Sequence, residues 1–214
     1  KNAGTVFRFL TAFLAIKPGN YILTGDERMK QRPVAPLVDA LKSLGADIEY
    51  LDKKGYPSLK IIGKRFSGGL LEIDAGVSSQ YISALAMIAP TLNNGIQLRL
   101  KGKVSSKPYI EMTLRLMQEF GVEYEWAHDL INIKAQKYIP KDISVENDWS
   151  SASYWYLMAA FAEEVSLKLD GLIQNSIQGD AVIIEIFKNF GVKTTFTENG
   201  IILTKYKEPV KQFD

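Results

Sequence analysis

Apolar and polar positions follow two periods along this chain. Ile110, Leu114, Met117 and Phe120 recur at the spacing that lines one face of a helix. Residues 96–100 and 165–169 read as short strands, each running into a glycine turn at Leu100-Lys101-Gly102 and Leu169-Asp170-Gly171. Behind the helix, Gly121 suits the left-handed cap that ends many helices. Residues 122–126 and 130–133 then alternate like a strand pair with one buried and one wet face.

The same order of signals occurs three times. Leu23-Thr24-Gly25, Leu100-Lys101-Gly102 and Leu169-Asp170-Gly171 each open a polar loop, and helices are predicted over 33–44, 109–120 and 181–190. Each ends at a glycine (Gly45, Gly121, Gly191) before further strand-like residues. A second helix precedes each first strand, with starts at Asn2-Ala3-Gly4-Thr5, Ser78-Ser79-Gln80 and Ser150-Ser151-Ala152. The predicted unit is β-α-β-α-β-β, an α/β fold of the α+β type. It repeats at about 70 residues, beyond the 20–50 range of solenoids. Two units and most of a third are expected, the first without its leading strand. Because the chain opens straight into a helix, it reads as an internal piece of a longer protein.

Composition narrows the function classes. With 214 residues, 46% hydrophobic and 23% charged, the chain fits an ordinary globular protein. A formal net charge of +2 gives no warrant for a nucleic-acid or membrane partner. The longest apolar stretch, 154–162, falls far short of the ~20 residues a membrane helix needs. The absence of cysteine removes disulfides, thiolate catalysis and Cys-based zinc sites, and suits a cytoplasmic enzyme. The single histidine, His128, falls in a predicted hairpin loop, so no histidine metal cluster is expected. Asp26, Glu27, Glu163 and Glu164 lack ligand partners and read as solvated, and no P-loop or dinucleotide fingerprint is present. The aromatic run Tyr154, Trp155 and Tyr156 reads as helix packing.

Candidate chemistry concentrates in the loops. Helix starts rich in Ser, Gly, Thr and Asn expose backbone N–H groups at the positive end of the helix dipole, a ready anion site. Plain capping explains any one of the starts at 2–5, 77–80 and 148–151, whereas three equivalent starts favour a shared phosphate-binding face. The loop 26–33 carries Arg28, Lys30 and Arg32, and arginine grips phosphate or carboxylate through two parallel bonds. Ser105-Ser106-Lys107-Pro108-Tyr109 places two hydroxyls, an ammonium and a phenol before a helix, and also reads as a cap with proline fixing the entry. On residues alone, an enzyme and a non-catalytic anion-binding module both remain open.

The ordered motifs resemble the EPSP synthase family. The resemblance rests on Asn2-Ala3-Gly4-Thr5 with Arg8, Leu23 to Pro33, Val77-Ser78-Ser79-Gln80-Tyr81, Val104 to Tyr109, Val145 to Tyr154, and Gln178-Gly179-Asp180. It implies two similar domains, each of three β-α-β-α-β-β units, with the active site in the cleft between them. Residues 1–143 would then be the last two units of the first domain, and 144–214 the first unit of the second. The implied reaction moves the enolpyruvyl group of phosphoenolpyruvate to the 5-hydroxyl of shikimate 3-phosphate and releases phosphate, in aromatic amino-acid (chorismate) biosynthesis. No metal or organic cofactor is implied, and a cytoplasmic monomer is expected. By resemblance, Ser78, Ser79, Gln80, Ser106 and Tyr109 bind shikimate 3-phosphate. Gly4, Arg28 and Gln80 bind phosphoenolpyruvate, while Asn2, Thr5 and Arg8 form the supporting loop. The family's UDP-N-acetylglucosamine relative uses a catalytic cysteine, which this chain lacks.

Some positions depart from the family pattern. Phe9 stands where many members carry proline, and Asn147 and Trp149 replace a glycine and a small residue. The family's amino-terminal Lys-Ser…Arg motif, its catalytic aspartate and its later basic residues have no match here, and Asp214 lacks the context of that aspartate. The 214 residues alone are therefore expected to be inactive.

Overall fold

Helix α1 (Gly4–Ile16) buries Phe7, Arg8, Thr11, Ala12 and Ala15, the stripe that a 3.6-residue period places on one face. It leads to strand β1 (Gly19–Leu23), a single-turn helix α2 (Glu27–Lys30), helix α3 (Ala35–Ser43) and strands β2 (Asp47–Tyr50) and β3 (Leu59–Gly63). The next pass runs β4 (Gly69–Asp74), α4 (Ser79–Ile88), β5 (Ile96–Lys101), α5 (Lys107–Glu119), β6 (Glu125–Ala127) and β7 (Leu130–Ile133). The last runs α6 (Trp149–Phe161), β8 (Ser166–Asp170), α7 (Ile183–Lys188), β9 (Val192–Thr197) and β10 (Gly200–Lys205). These elements come from a computed structural model, which describes residues 2–76 and 78–206; Val77 and Asp214 lie outside the described residues.

The chain divides into two units, 1–141 and 142–214. In each pass the strand before the glycine loop pairs antiparallel with the last strand: β1 with β3, β5 with β7, β8 with β10. The last strand also carries its hairpin partner, giving the orders β1-β3-β2, β4-β5-β7-β6 and β8-β10-β9. Among the described strands only β4 and β5 pair in parallel, with Leu71 opposite Leu98 and Ile73 opposite Leu100. Gly45, Gly121 and Gly191 take φ of +103°, +79° and +76°, the left-handed region expected at these helix ends.

In the first unit α4 is the central element. Eight of its ten residues are buried, as befits a helix that is apolar nearly all round. It packs on α1, α3 and α5, while α1 and α3 also cover the first sheet. In the second unit α6 is equally apolar in sequence, yet only Trp149, Ala152, Tyr156 and Ala159 are buried. Tyr154 and Trp155 are exposed, so packing accounts for one member of the aromatic run. A helical period turns three consecutive residues toward different sides.

Two expectations change. The loop 26–33 contains a helical turn, because Asp26 Oδ1 accepts from the Met29 amide at 2.9 Å while the Met29 side chain is fully buried. A lone apolar residue among charges leaves no period to read. Moreover, no strand lies between β7 and α6 among the described residues, so only the middle pass shows all six elements. Ile143 and Val145 alternate as a strand would, but both side chains are exposed. A ladder there would gain no apolar burial.

Candidate functional site

Parallel pairing of β4 and β5 brings their carboxyl ends to one edge of the sheet, Asp74 opposite Lys101. The loops that leave those ends run into the first turns of α4 and α5, which carry Ser78 to Gln80 and Ser106 to Tyr109, and the Ser105 amide donates to the Ala75 carbonyl at 3.1 Å, joining them. Ligands of open α/β sheets favour such an edge. Ser78 caps α4, its Oγ accepting from the Gln80 amide at 3.3 Å, and Ser79 is buried in the first turn. Ser106, at the start of α5, takes φ +55° and ψ +42° and makes no capping bond with its side chain. A left-handed conformation costs a non-glycine residue ~1–2 kcal/mol, so the surrounding structure has to impose it. One turn on, Ser83 and Thr113 share a hydrogen bond at 2.9 Å, and Thr113 also donates to the Tyr109 carbonyl at 2.9 Å. The first halves of α4 and α5 thus lie side by side.

The start of α1 joins the same cluster through Arg8 and Arg32. Arg8 is buried, donates through Nη1 to Gln80 Oε1, and places its guanidinium 5.1 Å from the centre of the Tyr81 ring. Tyr81 in turn donates its hydroxyl to the Pro33 carbonyl at 2.7 Å, holding the end of the arginine loop. The Arg32 guanidinium lies against the Cα of Gly4, where any Cβ would collide with it, and its Nη1 donates to Asn2 Oδ1 at 3.4 Å. Ala3, at the cap of α1, supplies no capping side chain. The amides of that first turn, backed by the helix dipole and flanked by Arg32, form the anion-receptive start of the three.

The three starts are not equivalent. At α6 the Asp148 carboxylate already caps the helix, accepting from the Ser150 amide at 2.9 Å and from Ser151 Oγ at 2.7 Å. The Ser151 hydroxyl, with the Ser150 and Ser151 amides, holds the Asp148 carboxyl below the usual carboxylate range. That start carries its own anion and would repel another. In place of a phosphate cradle, α6 has a polar network: Gln178 Oε1 accepts from the Trp149 amide at 3.0 Å, and Gln178 Nε2 donates to the Asn147 carbonyl at 2.9 Å.

Gly4, Arg8, Ser78, Ser79 and Gln80 are therefore gathered around the first turns of α1 and α4, with Ser106 at the cap of the neighbouring helix α5 and Tyr109 in its first turn. Asn2 touches Arg32; Thr5 and Arg28 are exposed, Arg28 without an ion pair among the described residues. Tyr81 and Pro33 stand in the sequence only as members of the family-like motifs, without the hydrogen bond that joins them, and the Ser83–Thr113 pair gives no signal there. Arg32 was visible there as a third cation in a loop and as part of the Leu23 to Pro33 motif, without its place beside Gly4. Among the described residues no His, Cys, Asp and Glu cluster could hold a metal.

Strand order and helix starts of this kind define an enolpyruvyl-transferase fold. EPSP synthase from Acinetobacter baumannii superposes with a TM-score of 0.76 at 23% identity, over 95% of this chain and 46% of that one. The enolpyruvyl transferase NikO from Streptomyces tendae gives 0.66 at 14%, over 95% and 48%. The family model of EPSP synthase (3-phosphoshikimate 1-carboxyvinyltransferase) matches residues 1–214, and the chain belongs to that family. The 3-phosphoshikimate 1-carboxyvinyltransferase of Bacteroides fragilis is 48% identical over 213 residues, 99% of this chain and 52% of the relative. The chain spans about half the length of the curated relatives it matches.

Proposed function

We propose that the protein carrying this chain transfers the enolpyruvyl group of phosphoenolpyruvate to the 5-hydroxyl of shikimate 3-phosphate. The observation that carries this reading is the cluster itself: an uncapped helix start at Gly4, a buried arginine without a carboxylate, and hydroxyl-bearing loops at one sheet edge. Ser78, Ser79, Ser106 and Tyr109 would hold shikimate 3-phosphate, with Gln80 between the two substrates. The Gly4 amide and Arg28 would hold phosphoenolpyruvate. In the reaction the 5-hydroxyl oxygen bonds to C2 of phosphoenolpyruvate, its proton is lost, and C3 gains a proton. Collapse of the tetrahedral intermediate returns the C3 proton to solvent and expels phosphate. Two polyanions must be held side by side for this, so positioning and fixed positive charge supply the acceleration.

The reading takes residues 1–143 and 144–214 as parts of two domains and the enzyme as a cytoplasmic monomer without metal, organic cofactor, nucleic-acid or membrane partner. No helix among the described residues is long and apolar enough to cross a membrane. The test is phosphate release from the two substrates by the complete gene product, flanking residues included. Saturable release supports the reading; none from a folded protein overturns it.

A further inference from the structure

Arginine carries donors only, and a carboxamide has one accepting and one donating end. The hydrogen bond from Arg8 Nη1 therefore fixes which end of Gln80 faces inward: Oε1 toward Arg8, Nε2 away from it. Among the described residues Gln80 Nε2 meets no acceptor, although Gln80 sits in the turn that carries Ser78 and Ser79. Arg8 is spent on little else. It is 8% exposed, forms no ion pair among the described residues, and leaves its buried Nε without a partner. A buried guanidinium kept without a carboxylate is costly as a purely structural device. Its remaining contact, the Tyr81 ring, holds the plane of the guanidinium in place.

We infer that Arg8 is a positioning residue that locks the Gln80 carboxamide oxygen-inward, so that its NH2 is held out as a donor to an anionic oxygen of the ligand. Without Arg8 the amide could turn over and present its oxygen to that anion. The inference rests on Gln80 belonging to the ligand site, as proposed above.

The experiment is a double-mutant cycle in the complete gene product, with KM and kcat measured for both substrates and the melting temperature followed alongside. Gln80→Ala is expected to raise KM for at least one substrate about tenfold, the loss of one charge-assisted hydrogen bond. Arg8→Met should raise the same KM to a similar extent, with kcat changed less. In the Gln80→Ala background it should add less than about twofold, because its effect passes through Gln80. Arg8→Lys, which donates to the same oxygen, should recover most of the binding. Effects that multiply in the double variant overturn this inference alone. Unchanged KM values in Gln80→Ala overturn the placement of Gln80 and the inference together. If Arg8→Met does not fold, Gln80→Glu decides. That side chain still pairs with Arg8 and keeps the melting temperature, yet offers no donor, so affinity should fall at least tenfold; unchanged affinity overturns the inference.

Discussion

Gly4 tolerates no side chain unless Arg32 moves, because a Cβ there would overlap the guanidinium. The obstacle is the end of a flexible side chain, so Gly4→Ala should fold with little change in melting temperature. In the complete gene product it should raise KM for phosphoenolpyruvate about tenfold, as the displaced cation and added methyl spoil the start of α1. A KM unchanged within twofold would argue that no ligand approaches that turn. Arg28 gives the complementary case. It is exposed and has no counter-ion among the described residues, so its loss should leave stability alone. Arg28→Ala should raise the same KM about 10- to 100-fold if it grips an anion through charge-assisted bonds. Steady-state kinetics with phosphoenolpyruvate varied would show either result. Most of these positions were legible as short motifs, since small residues at a helix start and arginines in a loop are local signals. Their mutual contacts were not: Arg8 meets Gln80 across 72 positions of sequence, and no period or spacing encodes such a contact.

At the scale of elements, strong periodicity was readable and weak periodicity was not. The stripe Ile110, Leu114 and Met117 announced α5, and those residues are buried as a set. Helix α2 escaped because one buried methionine cannot show a period. The leading strand of the third pass was expected from the repeat but is not formed among the described residues, because Ile143 and Val145 find no apolar face to cover. The three helix starts also looked alike in composition, while their caps differ: no side chain at α1, the Ser78 hydroxyl at α4 and the Asp148 carboxylate at α6. That difference is measurable. Asp148→Ala removes the cap of α6 and should cost about 1 kcal/mol in urea unfolding of the second unit. A loss below roughly 0.3 kcal/mol would mean that Gln178, bonded to the Trp149 amide, holds the start by itself.

For the whole molecule, alkaline pH is the informative variable. Burial pushes Tyr50 and Tyr138 up to about 12 from an ordinary 10.0, Tyr50 with help from the Asp39 charge. Both keep their protons in the folded chain at pH values where the unfolded chain has released them. Their contribution is thus complete below pH 10 and falls away as pH rises toward about 12. Urea midpoints should drop between pH 10 and 11 in the parent chain, and the combined Tyr50→Phe and Tyr138→Phe variant should show a shallower fall; parallel curves would contradict this. Tyr50 is the gentler of the two changes, since its hydroxyl is buried without a partner. The repeat that organises the chain also leaves a practical liability. Strands β1 and β8 each stand at the end of a three-strand order, with one row of main-chain donors and acceptors unpaired among the described strands. On β1 the Ile22 side chain is 72% exposed. When these 214 residues are handled by themselves at high concentration, that row is a template on which one molecule can zip to the next and precipitate.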